Sequence, residues 1–477
     1  MSQSTASLPV AVIGAGPVGL AAAAHLVAHD LPVTVYESGD TIAANVRAWG
    51  HVQLFSPWEF NIDPAARALL EAQGWQAPPE KGYPTGYELV DRYLAPLAAT
   101  PALASVIATG ERVVALGRLG VDKVGSRGRE NRPFVLTVRE KDGRTRRDLA
   151  RAVIDVSGTW STPNPLGASG LPAEGEVALA NRIVTGIPDV LGRDRDTYAG
   201  QTTLVVGAGH SAANVLLELA QLADDVEGTS LLWATRGTDL SRVYGGGAAD
   251  QLAARGDLGL RLQALVESGR VRLAPGFAVT AVRREDVGLL VEGETACGSR
   301  TLGPVDRIVT ATGQRPDLSL TRELRLELDP WLESVRALGP LIDPNLHSCG
   351  SVPPHGHREL AHPEPGFYTA GIKSYGRAPT FLMMTGYEQV RSIAAALAGD
   401  LVAADAVQLV LPETGVCSTS RGAESGSGGC CGGPAPSGVD ACCADDATAK
   451  ATTVTGCGCS PTLAPEAKTS SCCGRAA

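Results

Sequence analysis

Two apolar strands each run into a glycine-rich turn and then a helix, and the composition changes abruptly near Pro412. Together these observations predict an α/β fold of two Rossmann-like dinucleotide-binding domains, followed by a disordered Cys-rich C-terminal tail. The chain has 477 residues, enough for two or three domains with substantial cores. Hydrophobic residues make up 44% and charged residues 19%, the balance of a soluble globular protein. Lys plus Arg number 41 against 51 Asp plus Glu, a net charge of −10 that argues against a nucleic-acid partner. The apolar run from Leu8 to Ala28 has no Lys or Arg before it and is interrupted by Gly14, Gly16, Pro17, Gly19 and His25. It does not read as an export signal, and no other run of 18 apolar residues occurs, so neither export nor a membrane is expected. The expected location is the cytoplasm.

The first strand, Pro9–Ile13, enters the turn Gly14-Ala15-Gly16-Pro17-Val18-Gly19, which opens a helix reaching Ala28. The first glycine permits the tight turn, the second lets a pyrophosphate approach the backbone, and the third lets helix and strand pack closely. Free amides at the helix start, aided by the helix dipole, then face the phosphates. The next strand ends at Glu37, 23 residues beyond Gly14, where a carboxylate accepts the ribose hydroxyls of an adenosine. The second module repeats this plan. Thr202–Val206 enters Gly207-Ala208-Gly209-His210-Ser211-Ala212, and the following strand ends in Arg236 rather than an acid. A guanidinium there pairs with a 2′-phosphate that a carboxylate would repel, which favours NADPH over NADH. Two such modules imply two dinucleotides: FAD at Gly14, Gly16, Gly19 and Glu37, and NADPH at Gly207, Gly209, Ser211 and Arg236.

With these motifs the sequence resembles the flavoproteins that carry two dinucleotide-binding domains, and more closely the flavin-containing monooxygenases, over residues 8–400. The segment Ser157-Gly158-Thr159-Trp160-Ser161-Thr162-Pro163 is similar to the one where that family's chain leaves the flavin domain. The segment Asp306–Asp317, with Gly313 in its Ala-Thr-Gly core, is similar to the one where it returns. The resemblance therefore implies that the second domain is inserted into the first. It gives an FAD-binding domain at 1–165 and 306–411, an NADPH-binding domain at 166–305, and the tail at 412–477. It also implies cofactor contacts at Trp49, Gly158, Gly313 and Gly371, with Trp49–Trp58 similar to the family's substrate-side loop. The reaction implied is oxygenation of a small soft nucleophile, with molecular oxygen as a second substrate. Departures from the family fall on its chemistry. The nearest position to an asparagine that steadies the oxygen-charged flavin holds Ser56, with Asn61 five residues on. A linker fingerprint with a central histidine is missing from Gly175–Asn181. After the strand before Gly371, where relatives place an acid, this chain has Ile372-Lys373. Ser56, Asn61 and Lys373 are the catalytic candidates, Lys373 as a positive charge near the reduced ring. A helix over about Thr380–Leu397 is expected to aim its first amides at that ring. The core also resembles the flavin monooxygenases of bacterial arsenic-resistance clusters, which implies a trivalent arsenical substrate.

Of 11 cysteines, only Cys297 and Cys349 precede residue 416. The ordered part therefore offers no Cys-x-x-Cys to relay electrons as a thioredoxin-reductase-like enzyme would. In the tail, Cys430-Cys431, Cys442-Cys443 and Cys472-Cys473 are adjacent pairs. Their Cα atoms, about 3.8 Å apart, fall short of the roughly 4.4–6.8 Å of an ordinary disulfide. Such dithiols suit a soft metal or metalloid ion. His347, Cys349, His355, His357 and His362 form a second group, in a proline-rich loop whose spacing matches no zinc pattern. Two alternatives stay open: an NADPH-dependent metal or disulfide reductase that uses the tail dithiols, and a thiol-rich metalloid-binding protein.

Overall fold

Val10–Ile13 is apolar throughout and buried on both faces, as a central parallel strand must be. It pairs with Val33–Glu37 on one side and Ala152–Asp155 on the other. Ile107–Thr109 and Phe367–Thr369 extend these edges to a five-stranded, all-parallel sheet. The computed structural model describes residues 7–247, 250, 252–344, 352–379 and 381–409. Helix Pro17–Ala28 begins with proline at its first turn, where a missing N–H costs nothing, and packs against helix Met383–Ala398. Leu20, Leu26, Tyr93, Val390 and Ile393 are fully buried in the resulting core. The later helix ends at Gly399, whose φ of 87° closes it in the left-handed conformation.

The second sheet repeats the first in the order Arg272–Pro275, Ser230–Thr235, Thr202–Val206, Arg307–Thr310, Ile183–Thr185, again all parallel. This placement moves the expected boundary between 305 and 306. Arg307–Thr310 hydrogen-bonds Thr202–Val206 and Ile183–Thr185, so it belongs to the inserted module, and the return comes after it. A short apolar strand is suited to burial in either sheet, and only the pairing decides which.

Each module also carries an antiparallel three-stranded sheet that the βαβ rhythm does not predict. Arg112–Arg118, Phe134–Arg139 and Thr145–Ala150 follow the edge strand of the first module. Ala278–Glu285, Gly288–Thr295 and Gly298–Val305 follow the edge strand of the second. Phe134–Arg139 alternates buried and half-buried positions, the mark of a sheet with one covered face. Among the described residues no helix is long and apolar enough to cross a membrane. The cysteine pairs Cys430-Cys431, Cys442-Cys443 and Cys472-Cys473, with His347 and Cys349, lie outside the described residues.

Candidate functional site

The three glycines of the first turn divide their work. Gly14 has a φ of 106°, and a Cβ there would sit 3.0 Å from the Val156 carbonyl oxygen. At Gly19 a Cβ would lie only 1.9 Å from the Gly14 carbonyl oxygen, so helix and turn touch without room for a side chain. At Gly16 a Cβ would meet nothing within 4 Å. The protein itself demands the first and third glycines, and the second faces open space at a helix N-terminus, where a phosphate fits. Glu37 is buried at the end of its strand and accepts the Ala15 amide at 2.9 Å and the Gly39 amide at 2.7 Å. Its carboxylate is thereby fixed over the turn.

Gly14, Gly16 and Glu37 open onto a cavity of about 370 Å³. Trp49, Gly158 and Gly371, all expected at the cofactor, line it too. Gly158 and Gly371 have φ of 75° and 66°, and the Gly371 amide donates to Gln389 Oε1 at 2.7 Å. Gly313 is not in the lining, but its neighbour Gln314 is, and it accepts the Thr159 hydroxyl at 3.2 Å. Helix Met383–Ala398 starts at the cavity, with Phe381 and Met383 in its wall. Asp317 and Arg112 also face the cavity and escaped the sequence reading. Burial works to raise the Asp317 carboxyl, but hydrogen bonds from Ser319 and the charges of Lys373 and Arg112 bring it below its ordinary value. The only signal for Asp317 was its place at the end of the segment that carries Gly313.

None of the three catalytic candidates is in the cavity wall. Asn61 is fully buried, and its amide nitrogen donates to the Ser56 carbonyl at 2.7 Å and the Pro57 carbonyl at 2.9 Å. Ser56 in turn donates its hydroxyl to Asn61 Oδ1 at 2.8 Å. Together they clamp the loop, and neither holds a free donor toward the cavity. Lys373 is 2% exposed and its ammonium donates to Asp155 Oδ2 at 2.7 Å and to Ser157 Oγ at 2.9 Å. The 3-10 turn Gly371–Tyr375 directs this side chain to the end of Ala152–Asp155. There the ammonium is paired with a buried carboxylate.

The second turn is built alike. A Cβ at Gly207, where φ is 135°, would come 2.2 Å from the Ala311 carbonyl oxygen, and at Gly209 it would meet nothing within 4 Å. Ser211 lies in the first turn of helix His210–Asp225, and Ala212, third in the motif, is fully buried. The Trp233 indole donates to the Gly207 carbonyl at 2.7 Å and fixes the turn to the next strand. Arg236 is exposed at the end of that strand and donates to the Ala168 carbonyl at 3.1 Å. The loop after Trp49 lies against this helix, with the Phe55 and His210 rings 5.1 Å apart.

Among the described residues, the three histidines near the last strand each have a polar partner. His355 contacts the Pro353 carbonyl and Gln389, His357 contacts Asp405, and His362 contacts Thr369. Among the described residues no group of three His, Cys, Asp or Glu is arranged to hold a metal ion.

Residues 8–336 match the family model described as pyridine nucleotide-disulphide oxidoreductase. The chain belongs to this family. It is therefore an oxidoreductase, with a flavin and a pyridine nucleotide as the cofactors that the family's two cradles hold. No curated protein sequence shows significant similarity to it. Among solved structures, the fold is similar to a bacillithiol disulfide reductase from Bacillus cereus, with a TM-score of 0.60, 18% identity, and coverage of 82% of this chain and 99% of that one. It is similar to a double mutant of a flavin monooxygenase from Stenotrophomonas maltophilia, with a TM-score of 0.55, 22% identity, and coverage of 82% and 98%. It is also similar to an ornithine N-hydroxylase from Kutzneria sp. 744, solved with reduced FAD, NADP+ and L-ornithine, with a TM-score of 0.52, 16% identity, and coverage of 83% and 98%. At these identities the likeness concerns the fold, which reductases and monooxygenases share.

Proposed function

We propose that this oxidoreductase binds FAD in the first cradle and NADPH in the second, works in the cytoplasm, and oxygenates a small soft nucleophile. Gly16 and the first amides of helix Pro17–Ala28 would hold the FAD pyrophosphate, and Glu37 the adenosine ribose. Gly209 and Ser211 would receive the NADPH pyrophosphate, and Arg236 its 2′-phosphate. Bound flavin supplies the ring that takes hydride from NADPH and hands electrons to an acceptor. The protein's part is to orient and to exclude water. The observation that carries the reading is the wall beyond the phosphate turn, where Trp49, Trp160, Ile372, Phe381 and Met383 offer an apolar lining. Such a lining keeps bulk water from a reactive centre. Among the described residues the one cysteine is Cys297, exposed at a hairpin turn and absent from that wall. On this reading the acceptor enters the cavity itself. A trivalent arsenical fits as a soft nucleophile, on the sequence resemblance alone.

The second reading, reduction of a disulfide or metal through tail dithiols, is favoured by nine cysteines that follow residue 416. One experiment separates the two. The purified protein is given NADPH and a thioether, a thiol or a trivalent arsenical under 18O-labelled oxygen, and product and peroxide are quantified. Labelled oxygen in the product supports oxygenation. Hydrogen peroxide in step with NADPH consumed, with no labelled product, overturns it. Anaerobic NADPH turnover with a disulfide supports the second reading.

A further inference from the structure

A residue of the first module stands at the rim of the second cradle. Beyond Trp49, which lines the first cavity, the chain runs out to Phe55. The Phe55 ring lies 5.1 Å, centroid to centroid, from that of His210, at an interplanar angle of 50°. His210 opens helix His210–Asp225 and directly follows Gly209, where a Cβ would meet nothing within 4 Å. The ring pair therefore borders the open space over the second phosphate turn, and one of its two rings comes from the module that carries the first cavity.

Phe55 is fixed in this place by its own chain. The Leu54 amide donates to the Pro84 carbonyl at 2.8 Å and the Trp58 amide to the Gly82 carbonyl at 2.9 Å, which pins the backbone on both sides of the ring. Between these points Ser56 and Asn61 clamp each other, at 2.8 Å through the serine hydroxyl and 2.7 Å through the asparagine amide. The Asn61 carbonyl accepts the Tyr387 hydroxyl at 2.9 Å, from helix Met383–Ala398, whose start is at the first cavity. A half-buried ring on so constrained a loop is preorganised, because its ordering is completed on folding and little freedom is lost when a ligand packs against it.

We propose that Phe55 is a positioning residue for the nicotinamide half of the pyridine nucleotide, a fixed aromatic wall that the first module supplies to the second cradle. The inference rests on reading Gly207–Ser211 as that cradle. Two directions lead away from a pyrophosphate held at Gly209 and Ser211. Arg236, at the end of the next strand, marks the one taken by the adenosine 2′-phosphate. Phe55 marks the other, because the loop that carries it leads back to Trp49 and the first cavity. An aromatic ring on that path offers a flat apolar surface to the nicotinamide half and nothing to the adenosine half.

Calorimetric titration of the purified flavin-loaded protein with NADP+ and with 2′,5′-ADP separates these directions, since 2′,5′-ADP lacks the nicotinamide half. Phe55→Ala should weaken NADP+ binding about tenfold and leave 2′,5′-ADP within about twofold. Phe55→Tyr, which keeps the ring, should bind both as the wild type does. Unchanged NADP+ binding in Phe55→Ala overturns the inference. So does an equal loss of NADP+ and 2′,5′-ADP, the result of a general disturbance of the cradle. Gly209→Val reads the cradle separately. If it binds NADP+ as the wild type does, the cradle reading fails and the inference with it; if it loses NADP+ while Phe55→Ala does not, only the role of Phe55 falls. Should Phe55→Ala lose its visible flavin band, Phe55→Leu, which keeps most of the apolar volume without the ring, carries the same comparison.

Discussion

Gly16 and Gly19 stand three residues apart in one turn, yet substitution should break different things. At Gly19 a methyl would drive into backbone 1.9 Å away, which no rotamer change can relieve. Gly19→Ala is expected to destabilise the fold by about 1–3 kcal/mol or more, read from denaturant unfolding. Gly16 faces open space, so Gly16→Val should unfold at the wild-type denaturant concentration and lose flavin instead. A fall in flavin affinity of about tenfold, or ~1.4 kcal/mol, measured from visible absorbance on titration, is the expected size. Equal loss of stability in both variants would contradict the cradle. Arg236 offers a parallel test in the second module, because among the described residues its exposed guanidinium is bonded only to the Ala168 carbonyl. Arg236→Ala should raise the KM for NADPH about tenfold and leave that for NADH nearly unchanged, as loss of one phosphate partner requires. These residues are legible in the chain because backbone geometry ties glycine and acid to fixed spacings. Asp317, Arg112 and the pairing of Lys373 are not, because they depend on which distant segments meet.

At the scale of elements, the first sheet is joined at its C-terminal edge by charge as well as by hydrogen bonds. Lys373, in the turn after Phe367–Thr369, is paired with Asp155, at the end of the neighbouring strand Ala152–Asp155, and both side chains are 1% exposed. Ser157 donates its hydroxyl and amide to the same aspartate, so the turn that carries Gly158 is fixed by that carboxylate. Removing one member of such a pair leaves a buried charge uncompensated. Lys373→Met should therefore cost about 3–5 kcal/mol in denaturant unfolding. Lys373→Met with unchanged stability and a changed flavin spectrum would restore the catalytic reading that the geometry disfavours. Val10–Ile13, Val33–Glu37, Thr202–Val206 and Ser230–Thr235 could be anticipated because each is mostly apolar and leads through a turn into a helix. The antiparallel sheets could not. Thr145–Ala150 carries three charges in six residues and is half-exposed, so nothing in its own composition distinguishes it from a loop. Arg307–Thr310 shows the complementary limit, because its composition identifies a buried strand but not the sheet it joins.

For the whole molecule, the question is which part of the chain the electrons need. Both cradles, the cavity and the loop that spans them are built from residues before 400. All but two of the 11 cysteines follow residue 416. A chain ending at residue 411 keeps every residue proposed to hold the two dinucleotides, and under the oxygenase reading it should oxidise NADPH at a rate within about twofold of the full-length protein. A shift of that size is ~0.4 kcal/mol, well inside what a remote deletion produces without touching chemistry. Under the reductase reading the same truncation removes the thiols that must meet the substrate, and disulfide or metal turnover falls to background while flavin content is unchanged. The comparison needs three readings on one pair of proteins: the flavin-to-protein ratio, NADPH oxidation in air, and anaerobic turnover with a disulfide. Retained oxidation with no anaerobic turnover in either protein leaves an acceptor that enters the apolar cavity. Anaerobic turnover that disappears with the tail would mean that the cysteines, and not the cavity wall, deliver the electrons.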